Sequence, residues 1–116
     1  MSMGLHLVKF GYTPEAWAAM LENPQDRREM LAARVFSVGG RLDGFWYSTG
    51  EADGYALVEW PDHIAEATVL IAIKASGSFR FLESTQLLTM DEMLEALQAA
   101  HDVAYATPGA EESPGL

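Results

Sequence analysis

The sequence predicts one α+β domain, an antiparallel sheet with helices laid over one face. Three observations carry this. Short apolar runs of strand length alternate with segments of helical period, and breaks rich in Gly, Pro or Asn separate them. A chain of 116 residues has room for one core and for no second domain.

The first strand is Gly4-Leu5-His6-Leu7-Val8-Lys9-Phe10, apolar on both parities, as when both faces of a sheet are covered. Thr13-Pro14 starts a helix, because the Thr hydroxyl can cap it and a Pro at the first helical position gives up no needed donor. That helix carries Trp17, Met20 and Leu21. Asn23-Pro24 interrupts it, and Asn23 is expected to cap a second segment bearing Met30, Leu31, Ala33, Arg34 and Val35, which Gly39-Gly40 ends.

Arg41 to Thr49 reads as a strand with aromatic residues at Phe45, Trp46 and Tyr47. The polar turn from Gly50 to Gly54 leads into the run Tyr55 to Trp60, so the two form a hairpin. Pro61-Asp62 stops that strand and starts a helix to about Ser76, apolar nearly all round at Ile64, Ala67, Val69, Leu70, Ile71 and Ile73. One sheet cannot cover that circumference; a partner subunit or the last helix is expected to take the rest. Phe79 to Leu88 is the fourth strand, and Thr89-x-x-Glu92 has the form of a capping box ahead of a final helix with Met93, Leu94 and Leu97 on one stripe.

The order strand, helix, hairpin, helix, strand, helix is the ferredoxin-like βαββαβ pattern with an added C-terminal helix, and its sheet is expected to run 4-1-3-2. The domain is expected over residues 1–103, with a flexible acidic tail over 104–116. Helices cover one face only, while the first and third strands are apolar on both. A homodimer with the sheets face to face or joined into an α/β barrel is the simplest cover.

Seven Lys and Arg against seventeen Asp and Glu leave a net charge of −10, which argues against nucleic acid and anionic membrane surfaces as partners. No apolar run approaches the ~20 residues of a spanning helix, and Met1 to Phe10 lacks the basic leader and cleavage site of a signal peptide. The absence of cysteine removes disulfides and thiolate nucleophiles and suits a reducing compartment, the cytoplasm by default.

Several short pieces occur in order: a first strand leading into Tyr12-Thr13, Asn23-Pro24, Gly39-Gly40 before an aromatic strand, Gly50-Glu51-x-Asp53, Val58-Glu59-x-Pro61-Asp62, Gly77, and Thr89-x-x-Glu92. In these, from about Gly4 to Leu97, the chain resembles the GYD-domain family, small proteins named for a Gly-Tyr-Asp signature and without an assigned activity as a family. The signature tyrosine is missing: Ala52 stands beside Asp53, and Gly54-Tyr55 follows. The resemblance implies the ferredoxin-like fold and dimerisation, and it transfers no catalytic residue.

Five residues are candidates for a ligand site: His6, Lys9, Trp46, Tyr55 and Glu59. A strand histidine can serve as a general base near neutral pH, or can be a half-buried residue near a strand end. Glu59 shares a parity with Tyr55, and Lys9 on a neighbouring strand can join them. Glu59 reads either as a base or ligand anchor, or as a structural carboxylate that pairs with Lys9 or Arg80 or caps a helix across the dimer seam. Trp46, with Phe45, Tyr47, Trp60 and Phe81, can line a flat apolar pocket or form core and interface.

His63 and His101 read as solvated, and the three histidines lack metal-ligand spacing, so no metal is expected. No phosphate loop, dinucleotide fingerprint or serine-nucleophile elbow occurs, and no cofactor is expected. The leading functional expectation is a dimeric module that binds a small apolar or aromatic molecule between sheet and helices. Two alternatives belong to other classes: a cofactor-independent oxygenase or isomerase using His6, Tyr55 and Glu59, or a regulatory or structural interaction domain docking through the helix from Ile64 to Ile73. No motif decides whether the chain is an enzyme.

Overall fold

A computed structural model describes residues 3–103 together with 105, 108 and 109. The elements are β1 (Gly4–Tyr12), α1 (Pro14–Glu22), α2 (Arg27–Ser37), β2 (Arg41–Tyr47), β3 (Gly54–Trp60), α3 (His63–Ala75), β4 (Phe79–Leu87) and α4 (Met90–His101). The tail expected over 104–116 falls largely outside the described residues.

Local chemistry sets most of the boundaries. Thr13 accepts from the Ala16 N–H at 3.2 Å and Asp62 from the Ala65 N–H at 2.8 Å, so each caps its helix. Thr89 and Glu92 close the capping box of α4 in both directions, at 2.8 and 3.1 Å. The start of α2 corrects the expectation: Asp26, not Asn23, is the cap, and its carboxylate accepts from the N–H groups of Arg28 at 3.0 Å and Glu29 at 3.3 Å. Asn23 closes α1 instead, its N–H bonded to the Ala19 carbonyl. A charged carboxylate is the stronger acceptor for two orphan donors at a positive helix end, which favours a start after Asp26.

The end of α2 explains Gly39-Gly40. Gly39 takes φ +85°, the left-handed region, and the Gly40 N–H reaches back to the Val35 carbonyl at 2.9 Å. A Cβ at Gly40 would lie 2.8 Å from the Glu59 carbonyl, so the helix end can sit directly on β3 only with glycine there.

The sheet is antiparallel throughout with order β2-β3-β1-β4, the expected arrangement. Burial along β3 alternates strictly: Gly54, Ala56, Val58 and Trp60 are buried, while Tyr55, Leu57 and Glu59 are half-buried. The even positions meet the helices. Val8, Ala56, Val58 and Trp60 from the sheet pack against Val35 of α2 and Ala65 and Val69 of α3. Each valine among them contributes about 1.5–3 kcal/mol by leaving water.

The odd positions form the helix-free face, where the register draws three cross-strand rows. They are Arg41-Glu59-Leu5-Leu87, Gly44-Leu57-Leu7-Thr85 and Trp46-Tyr55-Lys9-Glu83. Leu5, Leu7, Leu57 and Leu87 are all half-buried there. The final helix α4 does not cover this face: all its residues are exposed, with Leu97 57 % accessible. Nor does α4 take the outer side of α3, where Ile64 and Ile71 stand exposed.

Candidate functional site

The five candidate residues divide between the two faces of the sheet. Lys9, Trp46 and Tyr55 share one row on the helix-free side, and Glu59 lies in a second row of that side, beyond Leu57. His6 pairs in register with Val58 and points the other way, under α3. His6, Tyr55 and Glu59 therefore do not surround a common volume within one protomer.

His6 is held by its neighbours. Its Nε2 lies 3.3 Å from Glu66 Oε2, which also accepts from the Ser84 hydroxyl at 2.7 Å, and its Nδ1 lies 3.3 Å from the Gly4 carbonyl. Both ring nitrogens face acceptors. Ser84 bonds the carboxylate and not the imidazole, so the three are not ordered as a nucleophile, base and orienting acid.

Glu59 has a partner other than those expected. Its carboxylate takes the guanidinium of Arg41, opposite it in register, while Lys9 pairs with Glu83 at 3.5 Å and Arg80 with Asp53 at 3.5 Å. The reason is register: β2 lies beside β3 and delivers Arg41, whereas Lys9 lies level with Tyr55, four positions along. Arg41 also reaches Asp43 at 2.6 Å, bringing two carboxylates onto one cation. Glu59 is raised above the ordinary glutamate value, first by its hydrogen bond with Asp43 and then by burial and the Asp43 charge, with Arg41 opposing. For Asp43 burial pulls upward, yet its contacts with Glu59 and Arg41 prevail and hold it below the usual aspartate value.

Trp46 is 53 % exposed and folds back along its own strand. A Cβ at Gly44 would fall 2.2 Å from the Trp46 ring, so glycine makes the bed on which the indole lies.

The cavity is on the opposite side of the sheet. A space of about 310 Å³ opens between the sheet and the pair α2 and α3. Its floor is apolar, built from Val8, Phe10, Ala56, Val58 and Trp60, with Met30 and Leu31 of α2 and Val69 and Ile73 of α3 as walls. Its polar lining stands toward solvent: Arg34 and Ser37 from α2 and Thr68 and Ser76 from α3 are exposed, and Arg27 of α2 is half-buried. Of the five candidates none lines it. The floor holds one orphan, since the Trp60 indole N–H is buried without an acceptor.

At the Tyr12 end of the cavity an aromatic cluster closes the sheet. The Tyr12 ring centroid lies 4.9 Å from that of Phe79 and 5.1 Å from that of Trp17, and its hydroxyl lies 3.4 Å from the Tyr47 hydroxyl. Burial, then the hydrogen bond to Tyr47, pushes the Tyr12 phenol well above its ordinary value, so it stays a neutral donor at physiological pH.

Asp53 fastens this cluster. Its Oδ2 accepts from the Tyr12 backbone N–H at 2.8 Å and the Trp17 indole at 3.3 Å and lies 3.5 Å from Arg80, tying β1, α1 and β4 to the turn before β3. Its own N–H bonds the Phe10 carbonyl at 2.8 Å. Beside it Ala52, which stands in place of the signature tyrosine, is only 3 % exposed.

Asp53, Tyr12, Arg27 and Arg34 were not among the site candidates of the sequence alone. For the arginines a signal existed: Arg27, Met30, Leu31, Arg34 and Val38 recur at helical spacing, which places both cations on the apolar stripe of α2.

Two solved structures are similar to this chain. A transcriptional regulator NMB0573 in complex with L-Met, from Neisseria meningitidis, is 18 % identical with a TM-score of 0.48, covering 75 % of this chain and 51 % of that one. This chain thus spans about half the length of that regulator. PA3566 from Pseudomonas aeruginosa is 12 % identical with a TM-score of 0.51, covering 78 % of this chain and 96 % of that one, a likeness of fold. No curated protein matches significantly in sequence. The GYD domain model matches residues 6–97, a span that holds every strand but the first two residues of β1, the cavity and the Asp53 junction. The chain belongs to the GYD domain family.

Proposed function

We propose that this protein is a dimeric binding module that takes a small apolar or aromatic molecule into the cavity between its sheet and the helices α2 and α3. One observation carries the reading: a space of about 310 Å³ with an apolar floor remains between elements that otherwise pack as a core. Interiors normally close such spaces, and ligand pockets begin at roughly this size, ~300 Å³.

The dimer is supported by a different surface. Leu5, Leu7, Leu57 and Leu87 lie together on the helix-free face, and α4 offers Met93, Leu94 and Leu97 with no cover from its own chain. A second copy meeting the first across this face would bury both and leave the cavities on the outer sides, one in each protomer.

Thermal denaturation in the presence of neutral aromatic and aliphatic compounds tests the ligand reading. A native-state ligand raises the midpoint, and the rise grows with the logarithm of its concentration above the dissociation constant. Substituting Ala72, an exposed residue at the mouth, by Trp narrows the entrance and is expected to abolish that rise. A rise that persists in Ala72→Trp assigns binding elsewhere, and no rise with any compound removes the reading.

A further inference from the structure

The mouth of the cavity carries charge of one sign. Arg27 and Arg34 lie seven residues apart on α2, about 10 Å along its axis, a separation their long side chains can close. No Asp or Glu is among the residues lining the cavity, in a chain that holds seventeen of them against seven Lys and Arg.

The other arginines are engaged. Arg28 pairs with Asp26, Arg41 with Asp43 and Glu59, and Arg80 with Asp53. Among the described residues Arg27 and Arg34 have no carboxylate partner; Arg27 meets only neutral groups, the Met30 sulfur at 3.1 Å, a weak acceptor, and the Tyr12 phenol. At the other end of β1 from Tyr12, the Trp60 N–H, on a side chain 2 % exposed, has no acceptor.

We infer that the cavity binds an amphipathic carboxylic acid, an aryl or medium-chain acid whose apolar body lies on the floor and whose carboxylate meets Arg27 or Arg34 at the mouth. The guanidinium is planar and matches a carboxylate with two parallel donors. A single negative charge suits the site better than two, because the −10 chain repels each added charge at longer range. The small volume excludes long acyl chains and bulky polycyclic acids. This inference rests on the ligand reading above, and its test separates the two.

Isothermal titration of the full chain compares 1-naphthylacetate with 1-naphthylacetamide, and octanoate with octanamide, against the parent and the double variant Arg27→Gln/Arg34→Gln. Both arginines lie on the helix surface, and circular dichroism verifies that the variant keeps its fold. The acid of at least one pair is expected to bind roughly tenfold or more tightly than its amide, the worth of one charge-assisted hydrogen bond. The double variant is expected to lose that advantage, acid and amide then binding alike. Acid and amide binding equally well, or an acid advantage that survives the double variant, overturns the carboxylate assignment and leaves the apolar reading standing. Failure of all four compounds to bind overturns both.

Discussion

The carboxylate of Asp53 accepts the indole N–H of Trp17 at 3.3 Å, across thirty-six positions of sequence, and the same oxygen takes the Tyr12 backbone N–H. Asp53 is thus a structural junction in this chain. Asp53→Ala strips the acceptor from a backbone donor that is partly buried, and is expected to cost about 1–3 kcal/mol in urea denaturation. Asp53→Asn keeps an acceptor while losing the charge that faces Arg80, so its cost is expected to be the smaller of the two. Equal losses would show that the charge, not the hydrogen bonds, holds the junction.

The Tyr12 phenol sets an alkaline limit. Its folded-state value lies above the ordinary 10.0, chiefly through burial and then through Tyr47. A raised value means that the unfolded chain releases this proton first, so the stabilisation is full below pH 10 and is lost as pH rises beyond it. Tyr12→Phe is expected to lose stability less steeply above pH 10 than the parent. Absorbance titration of the four tyrosines is expected to show one fewer late-ionising phenol in that variant.

The acid pair on Arg41 works in the opposite region of pH. Because Glu59 is raised, through Asp43 first, its contribution is present below the ordinary value of 4.5 and fades as pH rises through the folded-state value. Glu59→Gln holds the site neutral and can still bond Asp43. Its stability relative to the parent is expected to increase between pH 4 and pH 7, measured by denaturant midpoints. A difference constant over that range would mean that the two carboxylates do not communicate.

The helix-free face gives the test of assembly. Leu7→Glu places a charge at the centre of the leucine patch, between Leu57 and Thr85 in its row. Light scattering after size exclusion is expected to return a dimer for the parent and a monomer for this variant, since an unpaired charge in an apolar interface is strongly disfavoured. Leu97→Glu, on the exposed stripe of α4, is expected to weaken the dimer less if only the sheets meet, and as much if α4 crosses to the partner. A monomeric parent at micromolar concentration would remove the dimer.

Much of the fold was legible because it is local. Thr13-Pro14, Thr89 with Glu92, and Gly39-Gly40 each announce a helix end through groups within a few residues of one another, and the alternation of β3 is visible residue by residue. Even the separation of His6 from Lys9 was legible: with a period of two along β1 the pair must face opposite sides. The start of α2 was less so, because Asn23 and Asp26 are both good caps and competition between them decides.

The functional residues were harder to see. Whether Glu59 meets Lys9, Arg80 or Arg41 depends on which strand lies beside β3 and at what register, and a bulge between Leu42 and Gly44 resets the facing of β2 after Arg41. Asp53 gathers its partners from β1, α1 and β4, none of them within four residues.

By itself the sequence determined the kinds and order of the elements, the caps of three of the four helices, and which parities are apolar, for these depend on contacts between near neighbours and on the two backbone periods. Only the tertiary structure decided that the apolar layer under α2 and α3 is left partly unfilled, with two arginines at its mouth. The volume between three packed elements is a small difference between large distances, and no local pattern of residues encodes it.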